Sequence, residues 1–538
     1  MLLFGENKVA QAERRFGDLR RALRITIVAK ERGDLPQRQT EPRGAESREK
    51  SQARSREERG DLNTGIVAEL ERIAGARNVL SRSEDLVLYE YDGSVEKARP
   101  EAVVFPSSTA EVIAIVKLAV KHDVPIVGRG AGTGLSGGAL PRGGGIMLAF
   151  GRMNKILEVD FENRRAVVQP GVVNFDLTRA VEHAGFYFAP DPSSQKSCTI
   201  GGNVSENSGG PHTLAYGVTS SHVTGLELVL PNGEVQRIGG KLGDPLGYDL
   251  CALLVGSEGT LALVTEVVAK LSKKPEAIKT LLAIFETVDD ATETVTELTA
   301  RAITPAACEM MDGWTLCAIE DYVHAGFPRD CGAVLLIEIE GITEGVAGQA
   351  LAIDEVCRVH HAREVRTAKD DKERELLWKG RKTAFGALGR LAPSNYVLDA
   401  VIPRSKLPQA LRRVVQIGKE SGLQVGNIFH AGDGNLHPLV LFDPRKPEEF
   451  REAVRVSEEI VRYCVSIGGA LTGEHGVGME KAELMTLMFS EADFALMRRA
   501  HGQFNPTGLL NPGKVFPMGK GCGETRVRTS PTHLGVPA

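Results

Sequence analysis

No two of the eight cysteines form a C-x-x-C pair; they stand singly at 198, 251, 308, 317, 331, 357, 464 and 522. That spacing excludes an iron–sulfur cluster held by this chain alone, because such clusters need closely grouped thiolates. It also removes the sign of a disulfide framework, so the thiols read as reduced and the setting as cytoplasmic. Missing too are an uninterrupted apolar run of the ~18 residues that a membrane helix needs and an apolar signal core near the N-terminus. Any membrane association is therefore expected to be peripheral, through partners. The formal net charge is only -5 across 538 residues, without the basic stripe that neutralises nucleic-acid phosphates. The composition, 42% hydrophobic and 25% charged, is that of a globular protein with length for two or three domains.

Residues 1–60, typified by QRQTEPRGAESREKSQARSREERGD, lack the apolar side chains a core requires and are expected to form a disordered, charged extension. Their arginines suggest a transit peptide, but their many acidic residues argue against one. No Met occurs between Met1 and Met147, so a non-Met start beyond this extension is a further reading, which N-terminal sequencing of the native protein tests. Over 61–275, short β-rich runs (EAVVFP, VPIVG, RAVVQPG, TGLELVLPNGE, LALVTEVVAKL) alternate with glycine clusters and one amphipathic helix, STAEVIAIVKLAVKHD. From 276 to 500 the rhythm changes to strand LLAIFE, a helix over 287–302, strand AVLLIEIEG and a further helix. That order recurs through YVLDAVIP, LPQALRRVVQIGKESG and LQVGNIFH. Such recurrence predicts an α+β chain whose second domain is built of ferredoxin-like halves. Residues 501–520, rich in Pro, Gly and Asn, read as a loop-like closing segment, and 521–538 as a flexible tail.

VPIVGRGAGTGLSGGALP, residues 124–141, runs a strand straight into a loop whose glycines leave backbone N–H groups open to an anion. A Rossmann fingerprint would continue into a helix with an acidic residue about 20 positions on; here the strand GIMLAF follows instead. The loop is either a phosphate cradle of another type or a long surface turn. PDPSSQKSCTIGGNVSENSGG (190–210) and GSEGTLALVTEVVAKL (from 256) add two further glycine clusters suited to close backbone approach.

In FHAGDGNLHP, residues 429–438, an Asp433-Gly434 turn of the two-residue type would set His430 opposite His437. Directly opposed residues have Cβ atoms ~4.5 to 5.5 Å apart, within reach of one ion. The pair is a metal clamp or two capping side chains. GALTGEHGVGMEK (469–481) places Glu474 and His475 in a flexible, glycine-flanked loop. Glu474 would complete a two-His, one-carboxylate set with open coordination positions, for Zn, Mn or Fe. His475 would remain free for proton transfer, with an unperturbed pKa suited to neutral operation; a solvated turn is the other reading. Arg381 is the first candidate for an anion receptor, since a guanidinium fork matches a carboxylate. Arg390 and Lys382 are weaker ones.

The three glycine clusters resemble, in order and spacing, the FAD-binding domain of the vanillyl-alcohol oxidase and p-cresol methylhydroxylase (PCMH) superfamily. That resemblance implies a PCMH-type, two-subdomain FAD-binding domain over 61–275. It assigns to FAD the residues Arg129, Gly130, Ala131, Gly132, Thr133, Gly134, Ser136, Pro190, Thr199, Gly201, Gly202, Ser208, Gly209 and Gly259. No histidine stands in 124–141 or 190–210, so the flavin is expected to be non-covalent. WKGRKTAFGALGR, NYVLDAVIPR, FHAGDGNLHPLVLFD, TGEHGVG and NPGKVFP extend the likeness to the FAD-linked 2-hydroxy-acid dehydrogenases, which act on acids such as glycolate and D-lactate, from about residue 75 to 517. This implies Arg381 as substrate clamp, His430, His437 and Glu474 as metal ligands that also face the substrate, His475 as base, and Asn511 as a flavin contact. Relatives acting on D-2-hydroxyglutarate carry a lysine where this chain has Val397, which favours a small monocarboxylic acid. The expected reaction is hydride transfer from C2 of that acid to flavin N5. By the same resemblance a second flavin-type subunit and an iron–sulfur subunit are expected partners. A flavin-free metal hydrolase and a non-catalytic FAD-binding subunit are the alternative readings.

Overall fold

The computed structural model describes residues 62–242 and 247–518; the expectations for 1–60 and 521–538 lie outside them. The first half is built on two sheets. In one, Ala102–Val104, Ile146–Ala149 and Ile126–Arg129 run parallel, with Val79–Leu80 antiparallel on the edge. The crossover between Ala102–Val104 and Ile126–Arg129 is the helix Thr109–Lys121, started by Ser108, whose hydroxyl accepts the Glu111 N–H. Its Val112, Ile115, Val116 and Ala119, at helical spacing, bury against Ile126 and Ile146. The other sheet is antiparallel, ordered Ile156–Asp160, Arg165–Val168, Leu263–Lys270, Val223–Val229, Val235–Gly239. Along Leu263–Lys270 burial alternates with the pleat.

The second half is one long antiparallel sheet made of two βαββαβ units. The first unit comprises the strands Ala277–Phe285, Ala307–Asp312, Ala333–Gly341 and Glu364–Thr367, arranged fourth, first, third, second. That is the ferredoxin-like order foreseen from the recurrence. In the second unit Ser394–Val397 pairs Pro438–Phe442, which pairs Val425–His430, and a bridge from Val401 to Ala470 supplies the fourth position. The units join edge to edge through their second strands, Ala307–Asp312 against Val425–His430. Helices Val288–Ala300, Thr343–Val359, Leu407–Ser421 and Pro447–Ser466 pack on one face around Phe285, Met310 and Phe429. On the other face lie Gly313–Val323 and Asp371–Lys382.

The strand Ala307–Asp312 is not legible in the sequence. Its run ACEMMD carries two acids and no β-branched residue, so it lacks the alternating signal, and only pairing on both edges makes it a strand. After the helix Glu491–Phe504 the chain returns to the first half. Asn511 N donates to Ile126 O at 2.8 Å, and Lys514 Nζ to Leu140 O at 2.7 Å. Among the described residues no helix is long and apolar enough to cross a membrane, and the seven described cysteines are unpaired.

Candidate active site

A cavity of about 540 Å³ is walled by all three glycine clusters and by residues of the second half. Arg129 to Gly134, Thr199, Gly201, Gly202, Ser208 and Gly259 line it, and opposite them stand Arg381, His430, His437, Glu474 and His475. Close approach is built into the loops. A Cβ on Gly130 would collide with Thr199 Oγ1, and one on Gly132, at φ +70°, with the Arg129 guanidinium. Thr199 is the N-cap of the helix Ile200–Glu206, its hydroxyl accepting the Gly202 N–H at 3.3 Å. Arg129 Nη1 is buried without a hydrogen-bond partner among the described residues, as befits a cation awaiting an anionic ligand. Four residues assigned to the cofactor, Ser136, Pro190, Gly209 and Asn511, are not on the cavity wall. Asn511 instead ties two cofactor loops together, donating from Nδ2 to Gly138 O at 2.8 Å and Glu258 O at 2.6 Å.

The hairpin differs from the sequence reading. Its turn is four residues long, Ala431 to Gly434, and His430 faces Asn435 rather than His437. Neighbouring strands claim the turn: Gly432 N donates to Cys308 O, Ile402 N to Gly434 O, and Arg404 Nη1 to Gly432 O. A two-residue change of register leaves facing unchanged, because side chains alternate with period two. His437 is therefore diagonal to His430 on the same face, with ring centroids 5.1 Å apart. Both Nε2 atoms converge on Glu474 Oε1, at 3.0 and 3.2 Å. Their outer nitrogens are held as in metal-ligating imidazoles: His437 Nδ1 donates to Leu398 O at 2.9 Å, and His430 Nδ1 lies 2.8 Å from Glu309 Oε1. Ligands of a tetrahedral ion with ~2.1 Å bonds stand roughly 3.4 Å apart, so this donor set fits a divalent cation. Burial opposes charge on both partners, yet Glu309 and Glu474 hold His430 well above its ordinary pKa, and His430 and His437 hold Glu474 well below. The two carboxylates thus favour positive charge at His430.

Glu309, like its strand, carries no sequence signal of a site residue. It is wholly buried, directly opposite His430 in register, and receives Arg381 Nε at 2.7 Å and Nη2 at 2.6 Å on Oε2. Arg381, 2% exposed in the last turn of Asp371–Lys382, is therefore not the free fork the sequence suggested. Two of its five donors are taken by Glu309, and the residue lines the cavity. Lys382 also lines the cavity but is paired to Asp191 at 3.3 Å, while Arg390 donates to Asp321 O and lies off it.

The loop of Glu474 and His475 is tied down by hydrogen bonds to a buried carboxylate. Asp399, fully buried, accepts the N–H groups of Gly473, Glu474 and His475, the Thr472 hydroxyl, and Lys481 Nζ at 3.2 Å. The His475 ring stacks on His437 at 4.9 Å, and its Nδ1 is buried without a partner among the described residues. Its pKa is correspondingly not the ordinary one: burial, only partly opposed by Asp399 and reinforced by His437 and Lys481, pushes it down to about 4. Burial thus favours the neutral form of the His475 ring at physiological pH.

Comparison with known proteins agrees with this architecture. Residues 100–239 match the family described as FAD binding domain, and residues 274–515 the family FAD linked oxidases, C-terminal domain. The chain is 42% identical to glycolate oxidase subunit GlcD of Escherichia coli (strain K12), covering 86% of this chain and 93% of the relative. Identity to the Bacillus subtilis (strain 168) protein of the same name is 43%, covering 85% and 97%. A D-lactate dehydrogenase of Archaeoglobus fulgidus is 36% identical over 79% of this chain and 95% of its own. In fold, p-cresol methylhydroxylase superposes with a TM-score of 0.73 at 20% identity, covering 85% of this chain and 98% of that one. These matches remove the flavin-free hydrolase reading. The chain is an FAD-linked oxidoreductase and belongs to the FAD-linked oxidase family.

Proposed function

We propose that this protein oxidises glycolate or D-lactate to the corresponding 2-oxo acid. The observation that carries the reading is a single cavity in which flavin-type glycine loops face Arg381, His475 and a two-His, one-carboxylate set. When bound, FAD supplies a two-electron acceptor, and a divalent ion at His430, His437 and Glu474 supplies Lewis acidity toward the substrate. Arg381 anchors the carboxylate with the donors Glu309 leaves, and His475 takes the C2 hydroxyl proton. Phe385 and Val397 line the same cavity, and Lys382 is engaged by Asp191. Apart from Arg129, assigned to the cofactor, and Arg381, assigned to the first carboxylate, the described cavity-lining residues leave no lysine or arginine free for a second, distal carboxylate, which supports a small monocarboxylic acid. The flavin is held non-covalently: His212, the histidine next after the second glycine cluster, is off the cavity wall, its ring between Asp191 and Glu338 at 2.9 and 3.1 Å. Electrons leave to partner subunits bearing a second flavin-type site and an iron–sulfur centre.

Anaerobic addition of glycolate or D-lactate to the purified flavoprotein is the direct test. The visible flavin band should bleach with one of the two and not with D-2-hydroxyglutarate; an unbleached flavin with every 2-hydroxy acid refutes the proposal. The metal set has its own check. His430→Ala and His437→Ala should each lower bound divalent metal, read by elemental analysis, by at least the 10-fold typical of damage at a metal site. Full occupancy in both variants returns the pair to a structural role.

A further inference from the structure

Six consecutive backbone N–H groups, Gly473 to Gly478, end on side chains. The first three belong to Asp399 and the fourth to Thr472 Oγ1. The last two, Val477 N and Gly478 N, donate to Glu258 Oε1 and Oε2, each at 2.7 Å. Asp399 and Thr472 lie in the same half as the loop; Glu258 does not. It sits in the third glycine cluster, GSEGT, and is among the residues that line the cavity, beside Gly259.

Everything about Glu258 is arranged to present that carboxylate. Its backbone takes φ +53°, a conformation that non-glycine residues rarely adopt. It is held there by its N–H on Ser205 O at 2.8 Å and by the Asn511 Nδ2 donor on its carbonyl at 2.6 Å. The residue is 4% exposed. The loop in turn is shaped to fit: a Cβ on Gly476 would strike Glu206 Oε2 and lie 3.0 Å from Glu258 Oε1, and one on Gly478 would strike Ser136 O. Met479 N donates to that same Ser136 carbonyl at 2.9 Å. Residues of three cofactor-domain segments, Ser136, Glu206 and Glu258, thus form the mould in which the Glu474–His475 loop is cast.

We propose that Glu258 is a positioning residue through which the flavin-binding half sets the place of Glu474 and His475. This rests on the roles given to those two residues above. A carboxylate that receives two N–H groups on separate oxygens defines both the height and the tilt of the loop, and charge-assisted bonds are the strong ones. A glutamine there keeps size and backbone but offers one acceptor oxygen, with an NH₂ group facing the other N–H.

The test compares the wild-type holoprotein with Glu258→Gln by two measurements. In anaerobic stopped flow, the limiting rate of flavin reduction should fall by about 10- to 100-fold, the scale of a misplaced catalytic group. Substrate half-saturation should move little, because Arg381 is untouched. Hydrogen exchange without substrate should quicken at 476–478, with FAD content retained. A rate per bound flavin within twofold of wild type, or unchanged exchange at these amides, overturns the proposal. Should Glu258→Gln not accumulate as a flavoprotein, Glu258→Asp, which keeps the charge but withdraws it from the loop, is judged by the same criteria. A wild-type flavin that no 2-hydroxy acid bleaches defeats the substrate reading instead, and exchange alone then decides the role of Glu258.

Discussion

His475→Ala should leave FAD bound and slow its reduction by substrate by about two to four orders of magnitude, the usual worth of acid–base catalysis. The ring touches the cavity, its Nδ1 lacks a partner among the described residues, and it lies stacked on a ligand of the proposed metal set. Truncation removes the acceptor without disturbing the loop, because the loop is held through its backbone N–H groups. The pH dependence follows from the sign of the shift. A base whose pKa is pushed down to about 4 is already deprotonated at neutral pH. The reduction rate of the wild type should therefore stay level through the ordinary histidine value of about 6.5 and decline only as pH falls toward that lower value. A limb near 6.5 together with a near-normal rate in the alanine variant would remove His475 as the base.

Arg381→Met carries the second large effect, and it should appear in two measurements at once. Half-saturation by substrate should rise by on the order of 100-fold, as expected for loss of a hydrogen-bonded ionic anchor. Stability should fall as well, by about 1–3 kcal/mol, since the buried Glu309 carboxylate would lose one of its two partners and keep only His430. Chemical denaturation followed by fluorescence reads the second effect. The double variant Arg381→Met, Glu309→Gln separates the two. Removing both charges of a buried pair is close to neutral, so much of the stability should return while substrate binding remains weak. Weak stability in the double variant would mean that Glu309 is needed chiefly for His430, which it also contacts at 2.8 Å.

Local pattern carried the reading a long way. The helix Thr109–Lys121, the strand Leu263–Lys270 and the helix Leu407–Ser421 each show the period of their element, because each buries one face. His430, His437 and Glu474 were recognisable from residue type and glycine context. Their exact pairing was not: a two-residue turn is the local preference of Asp-Gly, and it lost to hydrogen bonds from Ile402 and Arg404 and to the Cys308 carbonyl, all remote in sequence. Facing survived the error only because the register moved by an even number. Glu309, Asp399 and Glu258 were out of reach as site residues. A buried carboxylate is stable only through partners, and theirs lie 72, 76 and 219 positions away, at Arg381, His475 and Val477.

Composition and periodicity were sufficient for the α+β class and the ferredoxin-like recurrence, and the motifs that carry the resemblance for the FAD-linked oxidase family. These are properties of short windows, where spacing alone dictates which side chains share a face. Packing over long distances settled the rest: that two ferredoxin-like units meet at the Glu309 and His430 pair, that Arg381 is engaged by Glu309, and that the loop of His475 is bound through its backbone to Asp399 and Glu258. It also lowered the basicity of His475, because desolvation depends on what surrounds a ring and not on its neighbours in the chain.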